Sequence, residues 1–168
     1  MSDDLRFEPL NSTHPVAAFV CSKPPLHDYL RKHALQNSAT GYSGTMVAVE
    51  PAGRIVGYFS LCPVSVTCAE LPSEEVKGMP KYPVPGVLLA KMAVHIDVAG
   101  KGLGTRLLLL AMREALAIPP SIKWRFFVVD AFDAEVVPFY TRFGFKALPG
   151  NPLRLYMGVK MVTKAVQI

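Results

Sequence analysis

A glycine-rich segment, Ala99–Arg106, has the residue types and the spacing to hold an anion. It reads Ala-Gly-Lys-Gly-Leu-Gly-Thr-Arg and lies between a β-branched apolar run and a strongly apolar helical run. Glycines at a strand-to-helix turn let the backbone approach a ligand, and the free N–H groups of the first helical turn attract negative charge. Lys101 and Arg106 add positive charge beside these groups. The segment therefore predicts a phosphate-binding loop.

Two widespread phosphate loops do not fit this segment. The pattern GxxxxGK[ST] needs a Gly-Lys-Ser/Thr end, which is missing here. The dinucleotide pattern GxGxxG, begun at Gly102 and Gly104, needs a third glycine where Leu107 stands. The strand–loop–helix unit also comes late in the chain, after a predicted antiparallel half. The loop is therefore of another kind.

The composition is typical of a globular domain. Of the 168 residues, 51% are hydrophobic and 18% are charged, which argues against a disordered chain and predicts one domain over residues 1–168. The net charge of +5 is compatible with anionic partners such as phosphates or RNA, but it does not require them.

The spacing of the cysteines and the length of the apolar runs indicate the cellular compartment. The cysteines form no CxxC pair and the histidines have no metal-ligand spacing, so we expect reduced thiols and no bound metal. The first residues, Met1-Ser-Asp-Asp-Leu-Arg, lack the core of a signal peptide, and no apolar run is long enough to span a membrane. We therefore expect a cytoplasmic protein with no membrane partner.

Apolar periodicity and turn residues predict the elements that position the loop. Strands are predicted over residues 5–10, 45–50, 54–66, 87–96, 123–130, 145–148 and 153–162. Helices are predicted from a cap at Ser22 to Gln36, within 71–81, over 102–117, and from a cap at Asp133 to Arg142. This order predicts an α+β fold with a mixed sheet.

Two segments in this order resemble the GNAT N-acetyltransferase superfamily. The loop Ala99–Gly104 resembles the family's acyl-CoA pattern Q/R-x-x-G-x-G/A, with Ala99 where the family has Gln or Arg. The segment Phe139–Phe145, Phe-Tyr-Thr-Arg-Phe-Gly-Phe, resembles the family's FYxxxGF. The resemblance implies the GNAT fold, a mixed and mostly antiparallel central sheet flanked by helices, with the two central strands splayed apart.

The resemblance also implies where acetyl-CoA binds. Its pantetheine arm is expected in the gap between the splayed strands, paired with the backbone near Met92, Ala93 and Val94. Its pyrophosphate is expected on the loop amides of Lys101, Gly102, Gly104 and Thr105. The alternative for these glycines is a tight turn made only for packing.

Further segments resemble the GNAT toxins of bacterial toxin–antitoxin pairs. They are Phe19–Cys21, Tyr29–Asn37, Ile55–Leu61, Tyr82–Pro85 and Val129–Ala131. Val20 and Phe132 stand where those toxins usually have an acidic and a basic residue. The toxins acetylate the α-amino group of aminoacyl-tRNA and so block translation. The resemblance therefore implies that activity, a ribbon-helix-helix antitoxin as partner, and a homodimer.

Tyr140 is the catalytic residue that the resemblance implies, as the general acid that protonates the departing CoA thiolate. Free thiols and phenols have pKa values of roughly 8.5 and 10, close enough for ready proton exchange. Spacing alone favours a core tyrosine with a paired hydroxyl group, and only the motif around Tyr140 favours the catalytic role.

The central strand lacks the carboxylate that many GNAT enzymes use as a base. Leu88–Val94 reads Leu-Leu-Ala-Lys-Met-Ala-Val. An α-amino group titrates at roughly 7.7, against roughly 10.4 for a lysine amine, so much of it is neutral without a base. The missing carboxylate therefore favours aminoacyl-tRNA as the acceptor, while Asp130 and His95 remain open as bases acting through water.

Basic side chains near the predicted cleft are candidates for contacts with tRNA phosphates, each adding about one unit to the salt dependence of binding. They are Arg31, Lys32, Lys77, Lys81, Lys91 and Arg142. The alternative for each is an ordinary solvated surface charge.

Two other functions stay open at the level of sequence. One is a GNAT acetyltransferase of a small-molecule or protein amine, and the other is a non-catalytic module that binds CoA. Dependence on charged tRNA separates the first from the toxin, and the absence of any acetyl transfer would favour the second.

Overall fold

The computed structural model of the protein describes residues 4–167. Both ends of the domain predicted over residues 1–168, including the first three residues of the N-terminal segment, lie outside the described residues. The strands are β1 (Arg6–Pro9), β2 (Gly44–Val49), β3 (Ile55–Val66), β4 (Val84–Val94), β5 (Phe126–Asp130), β6 (Lys146–Leu148) and β7 (Asn151–Gly158). The helices are α1 (Pro24–Lys32), α2 (Ala34–Thr40), α3 (Ser73–Val76), α4 (Leu103–Leu116), α5 (Val137–Thr141) and α6 (Val159–Val166). Short 3-10 turns cover Val16–Ala18, Cys68–Glu70 and Ile96–Val98.

The strands form one seven-stranded mixed sheet in the order β1-β2-β3-β4-β5-β7-β6. β1 with β2, β2 with β3, β5 with β7 and β6 with β7 are antiparallel. β4 and β5 are parallel, and α4 makes the crossover that a parallel pair requires. Their ladder runs from Gly86 opposite Phe126 to Leu89 opposite Val129, whereas β4 continues to Val94. The predicted α+β fold with a mostly antiparallel sheet is confirmed.

The chain divides into two compact units. The first comprises the residues up to Cys62 together with Ala90–Ala111, and the second comprises Pro63–Leu89 together with the chain from Met112 onward. The single domain expected over residues 1–168 stays a prediction.

Each unit has its own buried apolar residues. In the first unit a cluster joins β2 and β3 to α1 and α2, and it includes Phe19, Leu30 and Tyr58. In the second unit β5 is wholly apolar from Phe126 to Val129, and both faces of this strand are buried. A central strand is expected to be buried on both faces when helices cover both faces of its sheet.

The prediction of the first helix is wrong in two respects: where the helix begins, and that it is a single helix. The helix begins at Pro24 rather than at a Ser22 cap, because two prolines occupy its first turn and Lys23 before them is extended. It ends at Lys32, since His33 leaves helical geometry (φ −127°, ψ −31°), and α2 then begins separately. The predicted apolar face is nonetheless present, with Leu26, Leu30 and Ala34 buried.

The last predicted strand is also wrong beyond Gly158. β7 ends there and α6 follows, although the sequence predicts a strand to Val162. The many β-branched residues favour a strand locally, but Val159, Val162 and Val166 recur at helical spacing and Val162 is fully buried. Burial of this one face outweighs the local preference.

Candidate functional site

The predicted phosphate loop joins β4 to α4 and contains two glycines with left-handed backbone. Gly100 and Gly102 have φ of 78° and 86°, which an L side chain rarely adopts, and nothing lies within 4 Å of a Cβ built on either. The N–H of Arg106 donates to the carbonyl of Gly102 at 3.2 Å, so regular helical bonding begins at the loop itself. Lys101 and Gly102 are exposed, and Gly104 and Thr105 are half-buried. The loop therefore presents backbone amides and one lysine in open space.

The strand before the loop holds the other residues expected to contact acetyl-CoA. Ala93 is buried, and Met92 and Val94 are half-buried. All three lie past Leu89, the last residue of β4 that pairs with β5. The sequence predicts the pantetheine arm along this part of β4, and its binding there stays a prediction.

Tyr140 lies in α5 within an aromatic cluster of the second unit. Its ring meets Phe139 and Phe145 edge to face, with centroids 5.0 Å and 5.9 Å away. Only 6% of the residue is exposed, and burial raises the pKa of its hydroxyl group above the ordinary value. The cluster fixes the ring and keeps the hydroxyl protonated at neutral pH.

The hydroxyl oxygen of Tyr140 has a different environment from its ring. Within residues 4–167 it makes no hydrogen bond, and no fully buried side-chain oxygen or nitrogen in that range lacks a partner. The oxygen therefore keeps some access to solvent. The phenol of Tyr140 is therefore neutral, unpaired and reachable, and its role as a proton donor stays a prediction.

The two residues left open as bases both have structural partners. Asp130 accepts two hydrogen bonds from Arg154, from Nε to Oδ1 at 2.7 Å and from Nη2 to Oδ2 at 2.9 Å. His95 is buried, and its Nδ1 accepts the N–H of Asp97 at 3.1 Å. The pairing of Asp130 with Arg154 arises because they lie opposite each other on β5 and β7, and no sequence motif signals it.

Three of the predicted tRNA-binding residues lie in the first unit. Arg31 donates from Nε, at 3.1 Å, and from Nη2 to the carbonyl of Phe19, so much of its guanidinium serves the fold. Lys32 is exposed, with Nζ 3.9 Å from Asp28. Lys91, half-buried on β4, places Nζ 5.6 Å from the ring centroid of Tyr29 on α1. The structure thus brings Lys91 to the helix that carries Arg31 and Lys32.

The other three lie at separate places in the second unit. Lys77 follows α3, and Lys81 precedes β4. Arg142 follows α5, with its guanidinium carbon 5.8 Å from the ring centroid of Phe139. All three are exposed. Their charges are therefore accessible from solvent, and phosphate binding by them stays a prediction.

Comparison with known proteins gives the family. A family model described as an acetyltransferase (GNAT) domain matches residues 42–147, which include the glycine loop and Tyr140. The chain is also 36% identical over 151 residues to a tRNA-acetylating toxin of Mycobacterium tuberculosis, covering 90% of each chain. The chain belongs to the GNAT acetyltransferase family. This GNAT protein is accordingly an acyltransferase.

Solved structures with the same fold agree with this assignment. AtaT complexed with acetyl-methionyl-tRNAfMet superimposes on the GNAT protein with a TM-score of 0.87 at 23% identity, covering 96% of this chain and 98% of that one. An AtaT mutant with a tyrosine replaced by phenylalanine, bound to the C-terminus of the antitoxin AtaR and acetyl-CoA, has a TM-score of 0.82 at 20% identity. It covers 96% of this chain and 98% of that one. At these identities the likeness establishes the fold.

Two further observations concern ions and membranes. Among residues 4–167 of the GNAT protein, no three His, Cys, Asp or Glu side chains come together as a metal site requires. Within the same residues, no helix has the length and apolar character needed to cross a bilayer.

Proposed function

We propose that this GNAT protein transfers the acetyl group of acetyl-CoA to the α-amino group of aminoacyl-tRNA, and thereby acts as a toxin that blocks translation. The observation that carries the proposal is the 36% identity, over 90% of both chains, to a tRNA-acetylating toxin. An acetylated α-amino group is no longer a nucleophile, so a tRNA modified in this way cannot accept a growing peptide.

The loop after β4 has the properties that an acetyl-CoA pyrophosphate needs. Amides of Lys101, Gly102, Gly104 and Thr105 lie at the start of a long helix, and the loop glycines leave the approach open. Met92, Ala93 and Val94 would pair with the pantetheine arm. Bound acetyl-CoA supplies an activated acyl thioester, whose carbonyl carbon the acceptor amine attacks.

Tyr140 would act as the general acid when the thioester carbon–sulfur bond breaks. Its phenolic proton passes to the departing thiolate sulfur, the attacking nitrogen loses a proton to solvent as the amide forms, and the phenolate recovers a proton from solvent. The hydroxyl is protonated over the physiological range. Burial raises its pKa and makes it a weaker acid, so the proton would move only as negative charge builds up on the departing sulfur. The absence of a protein hydrogen bond leaves the proton available. This role of Tyr140 is part of the proposal.

The acceptor amine would need no strong base. The residues of β4 between Leu88 and Val94 include no carboxylate, and Asp130 and His95 are held by Arg154 and by the Asp97 amide. An α-amino group has a pKa of roughly 7.7, and the neighbouring ester lowers it, so a large fraction is neutral near pH 7. Lysine side chains, with a pKa of roughly 10.4, would be poor acceptors for such a site.

Basic residues would hold the tRNA, with Lys91 the best supported and exposed Lys32 on the neighbouring helix α1. Lys91 has no carboxylate partner among residues 4–167 and stacks over Tyr29, which leaves its charge available to a phosphate. Arg142, Lys77 and Lys81 are exposed, and Arg31 would contribute through the part of its guanidinium not used by Phe19. We further propose a ribbon-helix-helix antitoxin, a homodimer and a cytoplasmic location.

The deciding experiment measures transfer of labelled acetyl from acetyl-CoA to a pool of aminoacyl-tRNA. The matched controls are the same pool after deacylation and the same pool after chemical acetylation of its α-amino groups. Label is expected only on the untreated pool, and alkaline hydrolysis should release it as N-acetyl amino acid. Label on free amines or proteins with none on charged tRNA would contradict the proposal.

A further inference from the structure

Arg54 joins two segments of the first unit that are distant in sequence. Its Nε and Nη2 each lie 3.0 Å from an oxygen of Glu50, at the end of β2, in a bidentate pair. Its Nη1 donates to Oδ2 of Asp97 at 2.9 Å, across 43 positions of sequence. The bond with Arg54 lowers the pKa of the Glu50 carboxyl, so the network is charged at neutral pH. The planar fork of the guanidinium suits this two-sided geometry.

Asp97 lies in the 3-10 turn that connects β4 to the phosphate loop. The backbone just before Asp97 is tied to its surroundings by two hydrogen bonds. The N–H of His95 donates to Val56 at 2.8 Å, and the N–H of Ile96 donates to Val20 at 2.9 Å. The buried imidazole of His95 accepts the N–H of Asp97 itself. The turn is therefore a rigid stem. Asp97 and Ile96 are both exposed on it, and Arg54 binds the carboxylate of Asp97.

The loop beyond the stem depends on it for orientation. From Ala99 to Gly102 the side chains are small or exposed, and the glycine positions meet no neighbouring atoms. Packing does not restrain this stretch, so its amides are aimed by the stem before it and by α4 after it. Binding is stronger when the groups that contact a ligand are already oriented, because less freedom is lost.

We propose that Arg54 is a positioning residue for the acetyl-CoA loop, acting through Asp97 to hold the stem from which the loop amides project. The inference rests on the acetyl-CoA site of the proposed function. Arg54 would not itself contact the pyrophosphate, since Nε, Nη1 and Nη2 are all paired with carboxylates.

The test compares Arg54→Met and Asp97→Asn with the wild-type protein in acetyl-CoA binding and in steady-state kinetics. Each variant should weaken acetyl-CoA binding about 3- to 5-fold, the upper end of the size expected for exposed ion pairs. The KM for acetyl-CoA should rise by the same factor, while kcat and the KM for the acceptor stay within about twofold. The double variant should be little worse than either single one, because both break the same link.

Two matched variants separate positioning from general stability. Arg6→Met breaks an exposed pair with Glu8 on β1 (3.7 Å) and should leave acetyl-CoA binding unchanged. Arg54→Lys keeps the charge but cannot bond both carboxylates through a fork, so it should recover part of the lost affinity. Hydrogen exchange of the backbone from Val98 to Thr105 should quicken in Arg54→Met and not in Arg6→Met.

Three results would overturn the inference. A lower melting temperature with unchanged acetyl-CoA affinity would make Arg54 merely structural. Loss of affinity in Arg54→Met but not in Asp97→Asn would make Arg54 a direct ligand. No acetyl-CoA binding by the wild-type protein would remove the site altogether, whereas binding without transfer to aminoacyl-tRNA would overturn the proposed function alone.

Discussion

Tyr58 in the first unit and Tyr140 in the second are both buried tyrosines, and their hydroxyl groups have opposite surroundings. Tyr58 is 0% exposed and Tyr140 is 6% exposed, and burial raises the pKa of both hydroxyls. The hydroxyl of Tyr58 donates to the carbonyl of Leu26 at 2.6 Å. That of Tyr140 has no protein partner within residues 4–167. The partner of the hydroxyl, rather than the burial of the ring, distinguishes a structural tyrosine from one free to transfer a proton.

The rings of Tyr58 and Tyr140, unlike their hydroxyl groups, have similar aromatic surroundings. Tyr58 packs edge to face with Phe19 and stacks with Tyr29, while Tyr140 packs edge to face with Phe139 and Phe145. Both rings are thus held firmly. Replacing either tyrosine by phenylalanine keeps the ring and removes only the hydroxyl, so the pair of variants tests the comparison directly.

The largest expected effect is on catalysis, in Tyr140→Phe. Removal of the proposed proton donor should lower kcat for acetyl transfer roughly 10²- to 10³-fold, a usual size for general acid catalysis. The melting temperature should stay close to that of the wild type, because no protein hydrogen bond is lost. Steady-state kinetics at saturating acetyl-CoA, with thermal unfolding of the same samples, measure both. Activity within a few-fold of wild type would end the role assigned to Tyr140.

Tyr58→Phe should show the reverse pattern with a smaller effect. The buried carbonyl of Leu26 loses a hydrogen bond, so the free energy of unfolding should fall by about 1–2 kcal/mol. Acetyl transfer should remain within about twofold of wild type at a temperature where the variant is folded. Denaturant unfolding gives the stability change. A large loss of kcat in the folded variant would show that the two tyrosines are not distinct in the way proposed.

The smallest expected effect concerns alkaline stability. A hydroxyl whose folded-state pKa lies above its unfolded value stabilises the fold fully below about pH 10, and the contribution is lost as pH rises toward the folded pKa. Both phenylalanine variants should therefore lose less stability than the wild type between roughly pH 9 and 11. Thermal unfolding across that range gives the comparison. Parallel curves for wild type and variants would contradict the burial of these hydroxyls.

The sequence predicts the secondary-structure elements around the glycine loop better than those near the two ends of the chain. The apolar run of β4, the glycines after it and the periodicity of α4 are local signals, and the structure confirms this strand–loop–helix order. The break at His33 is not predicted because no glycine or proline signals it. The helix α6 is not predicted because it depends on burial of one face against distant residues. Whether Met92–Val94, the loop amides and Tyr140 bind and act as expected stays a prediction.

The sequence by itself determined the family, the glycine loop between β4 and α4, and the tyrosine segment, since each depends on runs of adjacent residues that are recognisable locally. Only the tertiary structure decided which polar side chains form ion pairs or hydrogen bonds with distant residues. The pairs Arg54 with Asp97 and Asp130 with Arg154, and the hydrogen bond of Tyr58, join residues far apart in the chain. Such pairs follow from strand register and packing, which no local pattern specifies.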